Sequence, residues 1–97
     1  MEWQHTKTDR TEELAQLNFF SMTKCQPEGN VKFRITVKEY AMPPAGQRLR
    51  FFAEADKLVN QSSAPLLPSG WGDSVWEALE GCLRLIRQFP YEGEDWN

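Results

Sequence analysis

The sequence predicts an α+β domain of order α-β-β-β-α, a three-stranded antiparallel sheet with helices packed on one face. Three observations carry this. Val31, Phe33, Ile35 and Val37 alternate strictly with Lys32, Arg34, Thr36 and Lys38, the pattern of a half-buried strand. Val75, Ala78, Leu79, Cys82, Ile86 and Phe89 recur at helical spacing behind a Ser-x-x-Glu capping box. A length of 97 residues suffices for one hydrophobic core and not for two. The chain is read as a single domain over residues 1–97, with 1–8 and 91–97 as loosely ordered tails.

The elements follow in chain order. Residues 9–18 are read as a short helix: Asp9 is the N-cap, Glu12 completes a capping box, and Leu14 and Leu17 form a narrow apolar stripe. Phe19 to Gln26 is the first strand. Pro27-Glu28-Gly29-Asn30 holds turn residues, because proline fixes φ while glycine and asparagine tolerate positive φ. Val31 to Tyr40 is the second strand. A one-residue slip there would expose four large apolar groups, each worth about 1.5–3 kcal/mol when buried, so its inward face is well determined.

Residues 41–47 contain Pro43-Pro44 and Gly46 and are read as a loop. Arg48 to Asp56 is the third strand, with Leu49, Phe51, Ala53 and Ala55 on the apolar side. Residues 57–72 form a longer connection. The helix from Val75 to Phe89 starts at Ser74 and Glu77, carries Arg84 and Arg87 near its negative C-terminal end, and stops at Pro90.

Composition narrows the function. Net charge is −3, the wrong sign for a dedicated nucleic-acid binder. No apolar run approaches the length of a membrane span, and Met1 to His5 lacks the pattern of a secretory signal. Two cysteines, Cys25 and Cys82, are read as reduced thiols of a cytoplasmic protein, a single Cys25–Cys82 bridge being the alternative.

No catalytic, metal or cofactor site is expected. The one histidine, His5, stands in a terminus, and no nucleophile–base arrangement can be built around it. Cys82 falls on a buried helical stripe, where a thiol acts as filler. Ser69-Gly70-Trp71-Gly72 precedes a helix start that could hold an anion, but no cation accompanies it; the glycines are read as letting the chain turn sharply into the helix while Trp71 packs.

The candidate binding surface is the outward face of the sheet. Lys32, Arg34, Lys38, Arg48 and Arg50 share one parity with Tyr40 and Phe52, and cations interleaved with rings suit nucleic acid. If the loop at 41–47 closes symmetrically, Arg34 faces Glu54 and Lys32 faces Asp56, and these cancel. Lys38 then lies opposite Arg50 and Arg48 opposite Tyr40, so that Lys38, Tyr40, Arg48, Arg50 and Phe52 are the candidate site. A like-charge pair calls for an acidic group above it, from a partner or from the acidic tail. Four tryptophans, Trp3, Trp71, Trp76 and Trp96, either cap the core or form an interface.

Gly72-Asp73-Ser74-Val75-Trp76-Glu77-Ala78-Leu79, followed by Leu83 and Ile86, resembles the segment that opens the helix of HicB-type antitoxin domains. The resemblance covers roughly 20 residues, largely a capping box and a helix start. It implies a small antiparallel sheet ahead of the helix and, in that family, toxin and DNA binding. The element order is also similar to that of the double-stranded-RNA-binding domain. That family carries lysines at the start of its last helix; here the positions read Asp73-Ser74-Val75-Trp76-Glu77, without a cation, and RNA binding is not carried over. The expected function is a small non-catalytic interaction module that binds a protein partner or forms a homodimer. Weak nucleic-acid binding through the basic face is the alternative.

Overall fold

A computed structural model describes Trp3, Thr6, residues 11–94 and Trp96. The chain forms strands β1 (Ala15–Gln26), β2 (Gly29–Tyr40), β3 (Phe51–Ala55) and β4 (Ser69–Gly72), then helix α1 (Val75–Gln88). The strands make one antiparallel sheet in the order β1-β2-β3-β4.

This corrects the expected three-stranded sheet flanked by two helices: the sheet has four strands, and α1 is the one helix among the described residues. Asp9 and Arg10 lie outside the described residues. Thr11 to Leu14 are turn and coil, and Ala15 to Asn18 belong to β1. Leu17 and Phe19 project from one face of β1 and Phe20 and Met22 from the other, since their partners Lys38, Thr36, Ile35 and Phe33 alternate in the same way. A strand that is apolar on both faces shows no period of two, and Leu14 with Leu17 imitates a helical step. The fourth strand was hidden because Ser-Gly-Trp-Gly has little strand propensity.

The hairpin between β1 and β2 closes through Pro27 and Glu28, with Gln26 paired to Gly29. Proline at the second turn position and glycine at the fourth suit a type I turn, and Gly29 has φ 148°. The inward face is as expected: Val31, Phe33, Val37 and Ala53 are fully buried, and Ile35 and Ala55 nearly so. Val59, from the connection after β3, joins them through a bridge to Leu66. No polar or charged side chain is buried in this core among the described residues.

Helix α1 lies across β4, β3 and β2 and buries Ala78, Leu79, Cys82 and Ile86. Its N-terminus is closed by side chains: the Glu77 N–H donates to Ser74 Oγ at 3.1 Å, and the Asp73 N–H donates to Glu77 Oε1 at 3.2 Å. The glycines of β4 serve close packing rather than a turn, which corrects the sequence reading. A Cβ on Gly70 would stand 2.7 Å from Ala78 O, and one on Gly72 2.6 Å from Ala78 N. Gly81 meets Gly70 from the helix side, so the two backbones approach as closely as they can.

The C-terminus of α1 is fastened to β1. Lys24 Nζ donates to Ile86 O at 2.6 Å and to Phe89 O at 2.9 Å, placing a cation on carbonyls that the helix leaves unpaired. Gln26 then holds the tail: its Nε2 donates to Tyr91 O at 3.1 Å, and its Oε1 accepts from Tyr91 N at 2.9 Å. Tyr91 is buried with its ring edge-on to Phe33, and Trp96 packs edge-on to Tyr91.

Candidate functional site: the outer face and the open edge of β1

The face of the sheet opposite α1 carries Lys38, Tyr40 and Phe52 of the residues singled out from sequence, while Arg48 and Arg50 lie in the chain just ahead of β3. Side chains there come from the odd positions of β1 and the even positions of β2 and β3. The β2–β3 register is two residues away from the symmetric closure: Thr36 lies opposite Glu54 and Lys38 opposite Phe52. The Tyr40 N–H donates to Arg50 O at 2.8 Å, so Tyr40 pairs with Arg50 rather than with Arg48. A shift of two keeps every side chain on its expected face but changes every neighbour. The Lys38–Arg50 and Arg34–Glu54 pairs therefore do not form. Asp56 instead accepts from the Arg34 backbone N–H at 2.9 Å.

The five candidate residues divide into two groups. Tyr40 is 5% exposed, its ring 6.0 Å from Trp71 and stacked on it, and Phe52 packs against Trp71 at 4.6 Å. Burial, with Glu13 and Glu54 nearby, pushes the Tyr40 phenol above its usual pKa. Arg50 is turned inward along its own strand pair: Nε donates to Tyr40 O at 3.2 Å, and the guanidinium lies 3.8 Å from Glu39. Tyr40 and Phe52 thus form a packed corner with Trp71, and Arg50 is held at its rim by Tyr40 O and Glu39. Lys38 is half-buried and Arg48 exposed. The acidic tail sits at the opposite end of β2, where Glu92 accepts from Ser62 N and Oγ at 2.9 and 2.8 Å. These bonds lower the Glu92 pKa.

The second feature is the free edge of β1, at a segment whose first half the sequence reads as helix. The Ala41 N–H donates to Leu14 O, which makes Leu14 and Ala41 a hydrogen-bonded pair. In an antiparallel ladder such pairs alternate. Even-numbered residues of β1 therefore direct N–H and C=O toward β2, and Leu17, Phe19, Ser21 and Thr23 direct theirs outward. No backbone hydrogen bond among the described residues reaches that edge.

The edge is long, regular and uncharged. All twelve residues of β1 pair with β2 without a bulge, and Ala15 to Thr23 include no charged residue and no proline. Phe19 is 73% and Leu17 47% exposed on the outer face. On the helix side, Trp76 is 69% exposed with its ring 5.9 Å from that of Phe20. A hollow of about 310 Å³ lies at the middle of the strand, lined by Phe19, Phe20, Ser21, Arg34 and Ile35. The sequence signal for this edge was the uncharged run containing Phe19-Phe20.

Nothing among the described residues assembles a metal site. His5 lies outside them. Cys82 is fully buried, its Sγ donating to Pro68 O at 3.4 Å, and burial pushes its thiol up to about 12. Cys25 is exposed on the outer face, so the sheet stands between the two thiols, and both are free. The N–H groups of Asp73, Glu77 and Ala78 at the start of α1 are taken by Glu77, Ser74 Oγ and Ser74 O. No helix among the described residues is long and apolar enough to cross a membrane. No family model, curated protein or solved structure matches the chain.

Proposed function

We propose that this protein is a non-catalytic interaction module that binds another polypeptide by strand addition at β1. The observation that carries the reading is the open edge itself: outward N–H and C=O groups at Leu17, Phe19, Ser21 and Thr23, with exposed Phe19 below and Trp76 above. An added strand gains affinity from main-chain hydrogen bonds and specificity from alternate side chains. Natural sheets blunt such edges with charge, proline, bulges or short length, and β1 uses none of these between Ala15 and Thr23. The free thiols Cys25 and Cys82 fit a cytoplasmic setting.

The test is selection from a random peptide library against the wild-type protein, followed by binding to Ser21→Pro. The Ser21 N–H points away from β2, so proline removes an edge donor and leaves the ladder in place. Extended peptides that bind the wild type and lose affinity at least tenfold for Ser21→Pro support the reading. Equal binding to both proteins, or no binder at all to a protein shown to be monomeric, refutes it.

One observation favours nucleic acid as a second reading. Phe19 stands exposed on the face that carries Arg34 and Lys38, an arrangement in which a base can stack while cations meet phosphates. The net charge of −3 and the burial of Tyr40 weigh against it. Titration with labelled single-stranded oligonucleotides at low salt decides the matter, since phosphate contacts are strongest there.

A further inference from the structure

We infer that the strand added to β1 is the β1 of a second copy, the two pairing antiparallel about a two-fold axis to make one eight-stranded sheet. This rests on the strand-addition reading above and names the occupant of that edge.

The ladder restricts the registers open to such a dimer. Hydrogen-bonded pairs across the new junction must join residues whose N–H and C=O point outward, and these are the odd-numbered ones. An odd residue therefore meets an odd residue, and the paired numbers sum to an even value. Overlap of the twelve-residue strand is greatest for sums of 40 and 42. A sum of 40 sets Phe19 opposite the partner's Ser21, Leu17 opposite the partner's Thr23, and Ala15 opposite the partner's Cys25. Phe20 then meets the partner's Phe20 at the axis.

Shape selects between the two registers. The hollow at mid-strand is lined by Phe19, Ser21 and Arg34, whose side chains share the outer face, and by Phe20 and Ile35. The small Ser21 leaves space beside the large, exposed Phe19. With a sum of 40, each Phe19 ring lies over the other copy's Ser21, so knob and hollow are exchanged twice by the symmetry. A sum of 42 sets Ser21 against the partner's Ser21 and moves Phe19 opposite Thr23, leaving the hollow unfilled.

The area is sufficient. Leu17, Phe19 and Trp76, at 47, 73 and 69% exposure, offer about 400 Å² per protomer if a whole aromatic side chain presents 150–250 Å². Two copies bring about 800 Å² from these side chains alone. Two twelve-residue strand edges carry the total past the roughly 1,000 Å² that a specific interface requires. Since Ala15 to Thr23 bear no charge, the net charge of −3 on each copy is not concentrated at the junction.

The experiment combines light scattering after size exclusion with a register-specific cross-link. Wild-type protein is expected at twice the monomer mass at tens of micromolar. Ser21→Pro and, separately, Phe19→Lys are expected at monomer mass with unchanged far-ultraviolet circular dichroism; Phe19 is already mostly in water, so the lysine does not disturb folding. In the Ala15→Cys variant, mild oxidation is expected to link position 15 to the partner's Cys25, because hydrogen-bonded antiparallel pairs stand about 5.5 Å apart at Cα, within disulfide reach. Linkage in Leu17→Cys and not in Ala15→Cys overturns the register. A wild type that stays monomeric at millimolar concentration overturns the dimer; if it still binds library peptides in a Ser21-dependent way, strand addition stands and only the occupant is wrong. If it also binds none, both readings fail.

Discussion

Replacing Gly70 by alanine tests whether the helix is held by contact between backbones. The added Cβ would stand 2.7 Å from Ala78 O, 2.9 Å from Cys82 N and 3.0 Å from Gly81 C. All three atoms are main chain of α1, so no side chain can swing aside. Restoring ordinary contact distances of about 3.5 Å requires the helix to lift by roughly 0.5–1 Å. A gap of that size forfeits about a quarter to a half of each contact's attraction. Leu79, Ile86, Cys82 and Ala78 are buried beneath the helix, together worth about 6 kcal/mol. The loss is then about 1.5–3 kcal/mol, in the range found for overpacked cores. For a domain of this size it lowers the melting temperature by about 6–24 °C. Thermal unfolding followed by circular dichroism reads it directly. Two controls isolate the cause. Gly46→Ala has open space around it but φ 82°, so it costs only the roughly 1–2 kcal/mol of backbone strain that a Cβ brings in the left-handed region. Gly81→Ala gains about 1 kcal/mol of helix propensity against one 3.3 Å contact and stays near the wild type. If Gly70→Ala melts within about 3 °C of the wild type, the close approach of helix and strand is not what limits this position.

Further predictions concern Lys24 and the thiols. Lys24→Met keeps the aliphatic stem but removes the ammonium from the carbonyls of Ile86 and Phe89, and should cost about 1.5–3 kcal/mol in urea unfolding; burial already lowers the Lys24 pKa, so Lys24→Arg, which keeps its charge but is bulkier, should restore only part of that loss. With a thiol reagent at pH 8, Cys25 should react at once and Cys82 only at the rate of unfolding; rapid labelling of both would contradict the burial of Cys82. The Cys82 thiol ionises near 9.0 when unfolded and at about 12 when folded, so its contribution to stability is complete below pH 9 and is lost as pH rises toward 12. The loss should approach about 1.4 kcal/mol per pH unit and be absent from Cys82→Ala.

What the sequence disclosed and what it concealed follow from where each element's information resides. Helix α1 is written locally: Ser74 and Glu77 close its start, and one stripe from Val75 to Phe89 fits one surface. Strand β2 is equally explicit, with apolar residues on one face and charged or polar ones on the other. The first half of β1 is not, because Leu17 and Phe19 serve one face and Phe20 the other. Strand β4 has almost no local signal; it becomes a strand because β3 offers a ladder and because α1 needs glycines beneath it. The β2–β3 register depends on how residues 41–50 close, and the chain takes a closure in which Tyr40 pairs with Arg50. Hence Lys38, Tyr40 and Phe52 stand on the expected face while the charge pairing around them differs, and Arg48 and Arg50 precede β3.

The two edges of the sheet show why β1 is the place to look for a partner. Strand β4 has four residues, two of them glycines pressed against α1, so it offers a partner little length to pair with. Strand β1 is three times as long and carries one lysine. A lysine on an edge strand ordinarily guards it, since an incoming strand must bury or displace its charge. Lys24 does not stand guard: its ammonium is turned under the sheet onto the last carbonyls of α1. The same contact draws the C-terminal end of the helix over the far end of β1, while its N-terminal half keeps Phe20 half-buried and Trp76 mostly in water. Fastening the helix thus uses the one charge that could have closed the edge. Lys24→Met loosens the helix without adding charge to β1, whereas Thr23→Lys restores a charge on the outer face; only the second should block strand addition while leaving the melting temperature of the monomer nearly unchanged.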